Sequence, residues 1–109
     1  MKRAKVFYSD ILCGYLIEDE DGYTFYYTKE YLNLKICKPI SLTMPLRQEP
    51  YHSIELFPFF DGLIPEGWLL YLTIKTYKID PRNRYDILLK TGVDTIGCVS
   101  VVEEIEHEN

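Results

Sequence analysis

The run "ILCGYLI" at residues 11–17, followed by "EDEDGY", constrains this chain more than any other segment. Apolar groups at both odd and even positions suit a strand covered on both faces, and such a strand belongs in the middle of a sheet. After Asp21-Gly22 comes residues 23–28, where Tyr23, Phe25 and Tyr27 alternate with Thr24, Tyr26 and Thr28. Asp-Gly between two strand-like runs is a strong hairpin signal, because tight turns demand positive φ. A further strand is expected over residues 3–8. The chain therefore opens as an antiparallel sheet.

Beyond residue 28 the pattern turns irregular, then helical. "KEYLNL" suits a short helical turn. "KPISLTMPLR" reads as an extended piece that Pro39 and Pro45 confine to an edge or a short strand, and residues 46–57 read as loop. Pro65 suits a helix start, where its missing N–H costs nothing, and that helix should run to about Tyr77. A second helix has Asp80 as N-cap, Pro81 in its first turn, Gly92 past its end, and a core face of Tyr85, Leu88 and Leu89. "GCVSVVEE" supplies a last strand, and residues 103–109 form an acidic tail. The expected fold class is α+β: a small, mainly antiparallel sheet of about five strands, with two α-helices inserted before the last strand. With 109 residues, the span 1–109 is expected to be a single domain.

Composition narrows the function. A hydrophobic content of 47% is enough to offset the entropy of folding, and ten tyrosines suit half-buried surfaces whose hydroxyls reach water. Net charge is −5, but Glu18, Asp19, Glu20, Asp21 and Glu103, Glu104, Glu106, Glu108 hold eight of the seventeen acids. The remaining nine acids face twelve bases, so no broad basic face is expected and direct nucleic-acid binding is disfavoured. Lys2, Arg3 and Lys5 read as a solvated strand end. Cys13, Cys37 and Cys98 are too few and too scattered for a disulfide framework. With neither a signal core nor an apolar run long enough for a membrane span, a cytoplasmic protein is expected.

The chemistry of bond making is sparse. His52 stands in a proline-flanked loop and His107 two residues from the end, poor settings for a positioned base. "KTGVDTIGC" has glycines at 92 and 97 but no Gly-Lys-Ser/Thr to hold phosphate, so Gly92 reads as a C-cap and Gly97 as a tight strand entry. Cys98 and His107 lack the paired spacing of a structural zinc site, and Asp61 and Glu66 suit a helix start better than a carboxylate pair. No cofactor, no metal and no catalytic residue are expected.

The informative segment is 58–78. At 100° per residue, Leu70, Ile74 and Tyr77 share one face, the pattern of a stripe packed on a core. Trp68 projects nearly opposite, flanked by Tyr71, Leu72 and Lys75. Either the preceding "PFFDGLI" loop covers Trp68, or the indole awaits a partner; tryptophan is enriched among residues that dominate binding energy.

"LFPFFDGLIPEG", then a helix, then "IDPRNRYDILLKTGVDTIGCVSV", resembles the N-terminal region of HipA-type serine/threonine kinase toxins over roughly residues 5–102. The matching positions are Phe59, Phe60, Asp61, Leu63, Ile64, Pro65 and Glu66, then Asp86, Ile87, Leu88, Leu89, Gly92, Asp94 and Gly97. Arginines common in the family's following helix are replaced by Leu69, Leu70 and Tyr71, so contacts made by them do not carry over. The kinase machinery, a phosphate-holding lysine, magnesium ligands and a base, lies beyond this region. The resemblance implies a detached module like HipS of the three-component HipBST systems, an antitoxin that binds a HipT-like kinase toxin, with a HipB-like DNA-binding protein as a further partner. The expected contact residues are Phe60, Asp61, Pro65, Glu66, Trp68 and Tyr71. Two rivals are an accessory fragment of a full kinase and a general protein-binding domain using a sheet edge.

Overall fold

A computed structural model describes residues 2–93 and 97–104. Five strands form one antiparallel sheet: β1 (Lys2–Tyr8), β2 (Ile11–Asp19), β3 (Gly22–Tyr27), β4 (Tyr51–Ser53) and β5 (Val99–Glu103), in the order β4-β3-β2-β1-β5. The strand expected to be central is central. Two one-turn helices, α1 (Lys29–Leu32) and α2 (Pro58–Asp61), flank β4, and the two longer helices, α3 (Gly67–Tyr77) and α4 (Arg84–Thr91), precede β5.

The hairpin forms, with its turn one residue earlier than the Asp-Gly pair suggests. Asp19 pairs with Gly22, so Glu20 and Asp21 make the turn and Gly22 begins β3 at φ 124°. Only glycine is comfortable there. The N–H of Asp21 donates to the Asp19 carboxylate at 2.8 Å. Between β1 and β2 the turn residues Ser9 and Asp10 both take positive φ, at 47° and 69°.

One face of the sheet presents Ala4, Val6, Leu16, Phe25 and Val101, all fully buried. Helix α4 covers it with Tyr85, Ile87, Leu88 and Leu89, so the expected core face is present. The Tyr85 ring is fully buried, and its hydroxyl lies 2.9 Å from the carbonyl oxygen of Leu16 and 3.2 Å from that of Lys2. Gly92 ends α4 against β5; a Cβ there would stand 2.9 Å from Val101 Cβ and 2.8 Å from the Leu88 oxygen.

Several expectations shift. The cap of α4 is Asn83, whose side chain accepts from the N–H of Asp86 at 3.1 Å. Asp80 instead caps the turn before it, accepting from the N–H of Arg82 at 2.9 Å. Pro58, not Pro65, takes the first-turn position of a helix, and Pro65 stands just before the α3 cap, Glu66. The "KPISLTMPLR" segment is not a strand: it makes a turn closed by the Ser41–Met44 bridge. The edge strand is β4, inside the stretch read as loop. Tyrosines explain how the irregular segment stays put. The Tyr27 hydroxyl donates to the Met44 carbonyl and accepts from the N–H of Ile40 at 3.1 Å. The Tyr31 hydroxyl brackets Lys38, and that of Tyr51 reaches the Pro45 carbonyl at 2.5 Å.

The basic strand start is paired. Lys2 meets Asp86 at 2.7 Å, and Arg3 meets Glu104 through two bonds of 2.5 and 2.6 Å. Of the expected acidic tail, Glu103 closes β5 and Glu104 is held by Arg3; residues 105–109, with His107, lie outside the described residues, as does Asp94.

Gly92→Ala should cost about 1–3 kcal/mol by overpacking. Gly97→Ala, with nothing within 4 Å of its Cβ, should cost far less; urea titrations of the two variants make the comparison. Burial also pushes the Cys13 thiol up from 9.0 to about 12, and raises the Tyr27 and Tyr85 phenols. A raised folded pKa gives stability that is present below the unfolded value and lost as pH climbs towards the folded one. The urea midpoint should therefore fall as pH rises from about 9 towards 12, with buried-tyrosine absorbance changing only as the chain unfolds.

Candidate docking surface on the third helix

Helix α3 packs on α4 in an outer layer, and this decides which of its faces is hidden. Thr73 is its one buried residue, with Oγ1 donating to the Leu69 carbonyl at 2.8 Å, while Leu70 and Ile74 are half-buried against the core. The expected stripe of Leu70, Ile74 and Tyr77 is thus two-thirds right. Tyr77 is exposed, with the Lys90 ammonium 5.2 Å from its ring centroid.

The opposite side is apolar and open. Trp68 is 72% exposed, and Leu69, Tyr71 and Leu72 are exposed beside it. The preceding loop does not cover the indole. Trp68 stacks on Tyr71 at 5.9 Å and 22°, and the Lys75 ammonium lies 5.4 Å from the Tyr71 ring centroid. Indole, phenol and ammonium sit at positions i, i+3 and i+7, one row along the helix. Next to the row a groove of about 640 Å³ runs between the α2–α3 connection and the end of α4, bordered by Leu63, Pro65, Leu69, Leu72 and Tyr77.

The six expected contact residues separate cleanly. Phe60 is fully buried, with ring centroids 5.5 Å from Phe25 and 5.2 Å from Phe59, so it is a core residue and not a contact. Asp61 is spent on Arg84 at 2.7 Å, tying α2 to α4. Pro65 is half-buried at the groove, and Glu66 is exposed at the α3 start without a side-chain cap bond. Of the six, only Trp68 and Tyr71 stand fully on the open face. Leu69 and Tyr77 border the groove but were not expected at a contact; Tyr77 lies on the core side of the helical wheel, yet at the far end of α3 it is exposed, with the Lys90 ammonium over its ring.

Two ionisable groups elsewhere have structural partners. His52 lies in β4 with Nδ1 3.3 Å from Thr24 Oγ1. Asp86 is bonded by Asn83 and Lys2. Among the described residues no group of three or more His, Cys, Asp or Glu is placed to hold a metal, and no helix is long and apolar enough to cross a membrane.

Known proteins share this fold. The HipA N-terminal domain model matches residues 4–102. A solved structure described as the N-terminal domain of HipA toxin superposes with a TM-score of 0.74 at 32% identity, covering 98% of this chain and 96% of that one. An uncharacterized protein of Haemophilus influenzae is 36% identical over 104 residues, 95% of this chain and 94% of its own length. The putative kinase Y4mE of Sinorhizobium fredii is 29% identical over 100 residues, which are 91% of this chain but only 24% of the kinase. A chain of the Shewanella oneidensis complex of HipA, HipB and operator DNA shares the fold, with a TM-score of 0.67 at 22% identity over 91% of this chain and 23% of its own. The sheet with its helical cover defines a small α+β module. This chain belongs to the HipA N-terminal domain family. The similarity is to that N-terminal region, not to a kinase catalytic domain.

Trp68→Ala should leave folding stability within about 0.5 kcal/mol, as expected for an exposed side chain, whereas Phe60→Ala should cost about 3–5 kcal/mol. Thermal or urea melts of both variants test the division between surface and core.

Proposed function

We propose that this chain is a non-catalytic, cytoplasmic antitoxin-like protein that binds a HipT- or HipA-type serine/threonine kinase in trans and restrains it. The observation that carries this reading is the open aromatic row on α3, where Trp68 is 72% exposed and Leu69, Tyr71 and Leu72 are exposed around it. Other exposed apolar residues, such as Leu34, Ile36, Leu42 and Ile54, lie in loops and not on a helix face. Large apolar groups clustered on one helix face mark interaction surfaces. The match to a quarter of a putative kinase supplies the kind of partner, since the region beyond the match is where such a protein would carry its catalytic part. The Haemophilus relative, matched along 94% of its own length, supports a module that works as a separate chain. A HipB-like DNA-binding protein is a further partner in a ternary complex, as the HipBST resemblance implies.

In this reading Trp68 and Tyr71 lead the contact, with Pro65 and Glu66 at its border. A second reading, a module serving a longer kinase in cis, is favoured by the Sinorhizobium relative. A kinase gene lacking this module beside the gene for this chain would separate the two.

Co-expression with the neighbouring kinase should give a complex that co-purifies and cells that survive the toxin. Trp68→Ala should cost about 2–4 kcal/mol of binding and restore toxicity without unfolding the protein. Full neutralisation by that variant would remove α3 from the contact.

A further inference from the structure

We propose that the α3 face fits a partner surface in which carboxylates border an apolar recess. Trp68, Tyr71 and Leu72 enter the recess, and Lys75 and Lys78 meet the carboxylates. This rests on the kinase-binding reading and adds the chemistry of the partner's side.

The chain carries −5 overall, yet the end of its exposed apolar row carries two ammonium groups. Cations around this face are otherwise matched: Arg84 to Asp61 at 2.7 Å, Arg82 to Asp80 at 3.1 Å, and Lys90 to Glu103 at 3.8 Å. Among the described residues, neither Lys75 nor Lys78 has such a carboxylate. Lys75 rests against the Tyr71 ring, in line with the indole.

Lys78 follows at the C-terminal end of the same helix and is exposed. It ends α3 in the left-handed conformation, φ 53° and ψ 47°, a place that glycine fills with less strain. Some favourable interaction with the helix C-terminus is available to any lysine in the last turn, and Lys75 already provides it. Exposed at that position and, among the described residues, without a carboxylate in reach, Lys78 can meet one from outside.

The same charges argue against a second copy as occupant. A two-fold contact through this face would set lysines against lysines. A contact between α3 and the Glu18–Asp21 hairpin of another copy would be head-to-tail and need not close. A heterologous partner with an acidic border has neither difficulty. Its carboxylates would speed encounter, and the buried rings would slow escape.

The test measures binding rates on the immobilised kinase of the same cell, at low and high salt. Lys75→Glu with Lys78→Glu should slow association about tenfold or more at low salt, and the gap should close at high salt. Lys75→Arg with Lys78→Arg should behave as the parent does. Trp68→Ala should instead speed dissociation about tenfold or more. Lys78→Gly separates charge from structure: it should raise the melting temperature yet slow association. Charge-reversed chains that associate within about twofold of the parent would overturn the inference while leaving the kinase reading in place. A parent chain that does not bind the kinase would overturn both. Two further results would also overturn it by giving the face another occupant: sedimentation showing a dimer that Lys75→Glu with Lys78→Glu dissolves, or faster kinase association by a chain ending at Glu104.

Discussion

Burial of the Tyr85 ring against β1 and β2, with its hydroxyl between the carbonyls of Leu16 and Lys2, is the contact on which the helical layer is built. A buried phenol without a partner would cost on the order of 1–3 kcal/mol; here it finds two strand carbonyls and so sets where α4 lies across the sheet. Lys2 reinforces the placement from outside by meeting Asp86, the next residue of the helix. With α4 in place, Arg84 reaches Asp61 and holds the single turn α2, whose Phe60 fills the core beside Phe25. Helix α3 comes last, resting on α4, and that outer position is why its far side remains open.

Tyrosine does a second job in the long connection between α1 and β4. An irregular segment has backbone groups that no ladder satisfies. Three phenolic hydroxyls, from Tyr27, Tyr31 and Tyr51, bond the backbone at Ile40, Met44, Lys38 and Pro45. The Arg47 guanidinium adds bonds to the Glu49 and Pro50 carbonyls, both at 3.0 Å, while lying 3.6 Å above the Tyr51 ring. The abundance of tyrosine thus answers to the needs of this loop as well as to half-wet surfaces.

The sheet and the helix pair were legible in the sequence because their signals are local. Two-sided apolarity in residues 11–17, a hairpin signal at Asp21-Gly22 and the Tyr85, Leu88, Leu89 face each depend on near neighbours. The edge strand β4 was not legible: three residues, Tyr51–Ser53, become a strand only because β3 offers them a ladder. The cap of α4 was misplaced for a related reason, since Asp80 and Asn83 both suit a cap and only the turn at Pro81 decides between them. On the open face of α3, the exposure of Trp68 could be read from the wheel, with Tyr71 beside it. Phe60 could not, because its motif neighbours say nothing about which way a one-turn helix faces.

The chain's single tryptophan is also its most conspicuous solvent-facing ring. Indole emission in such a setting already resembles that of a denatured polypeptide, so it is nearly silent when the molecule melts. Desolvation against another macromolecule would shift it to the blue. The natural fluorophore of this domain is therefore a gauge of company, not of order.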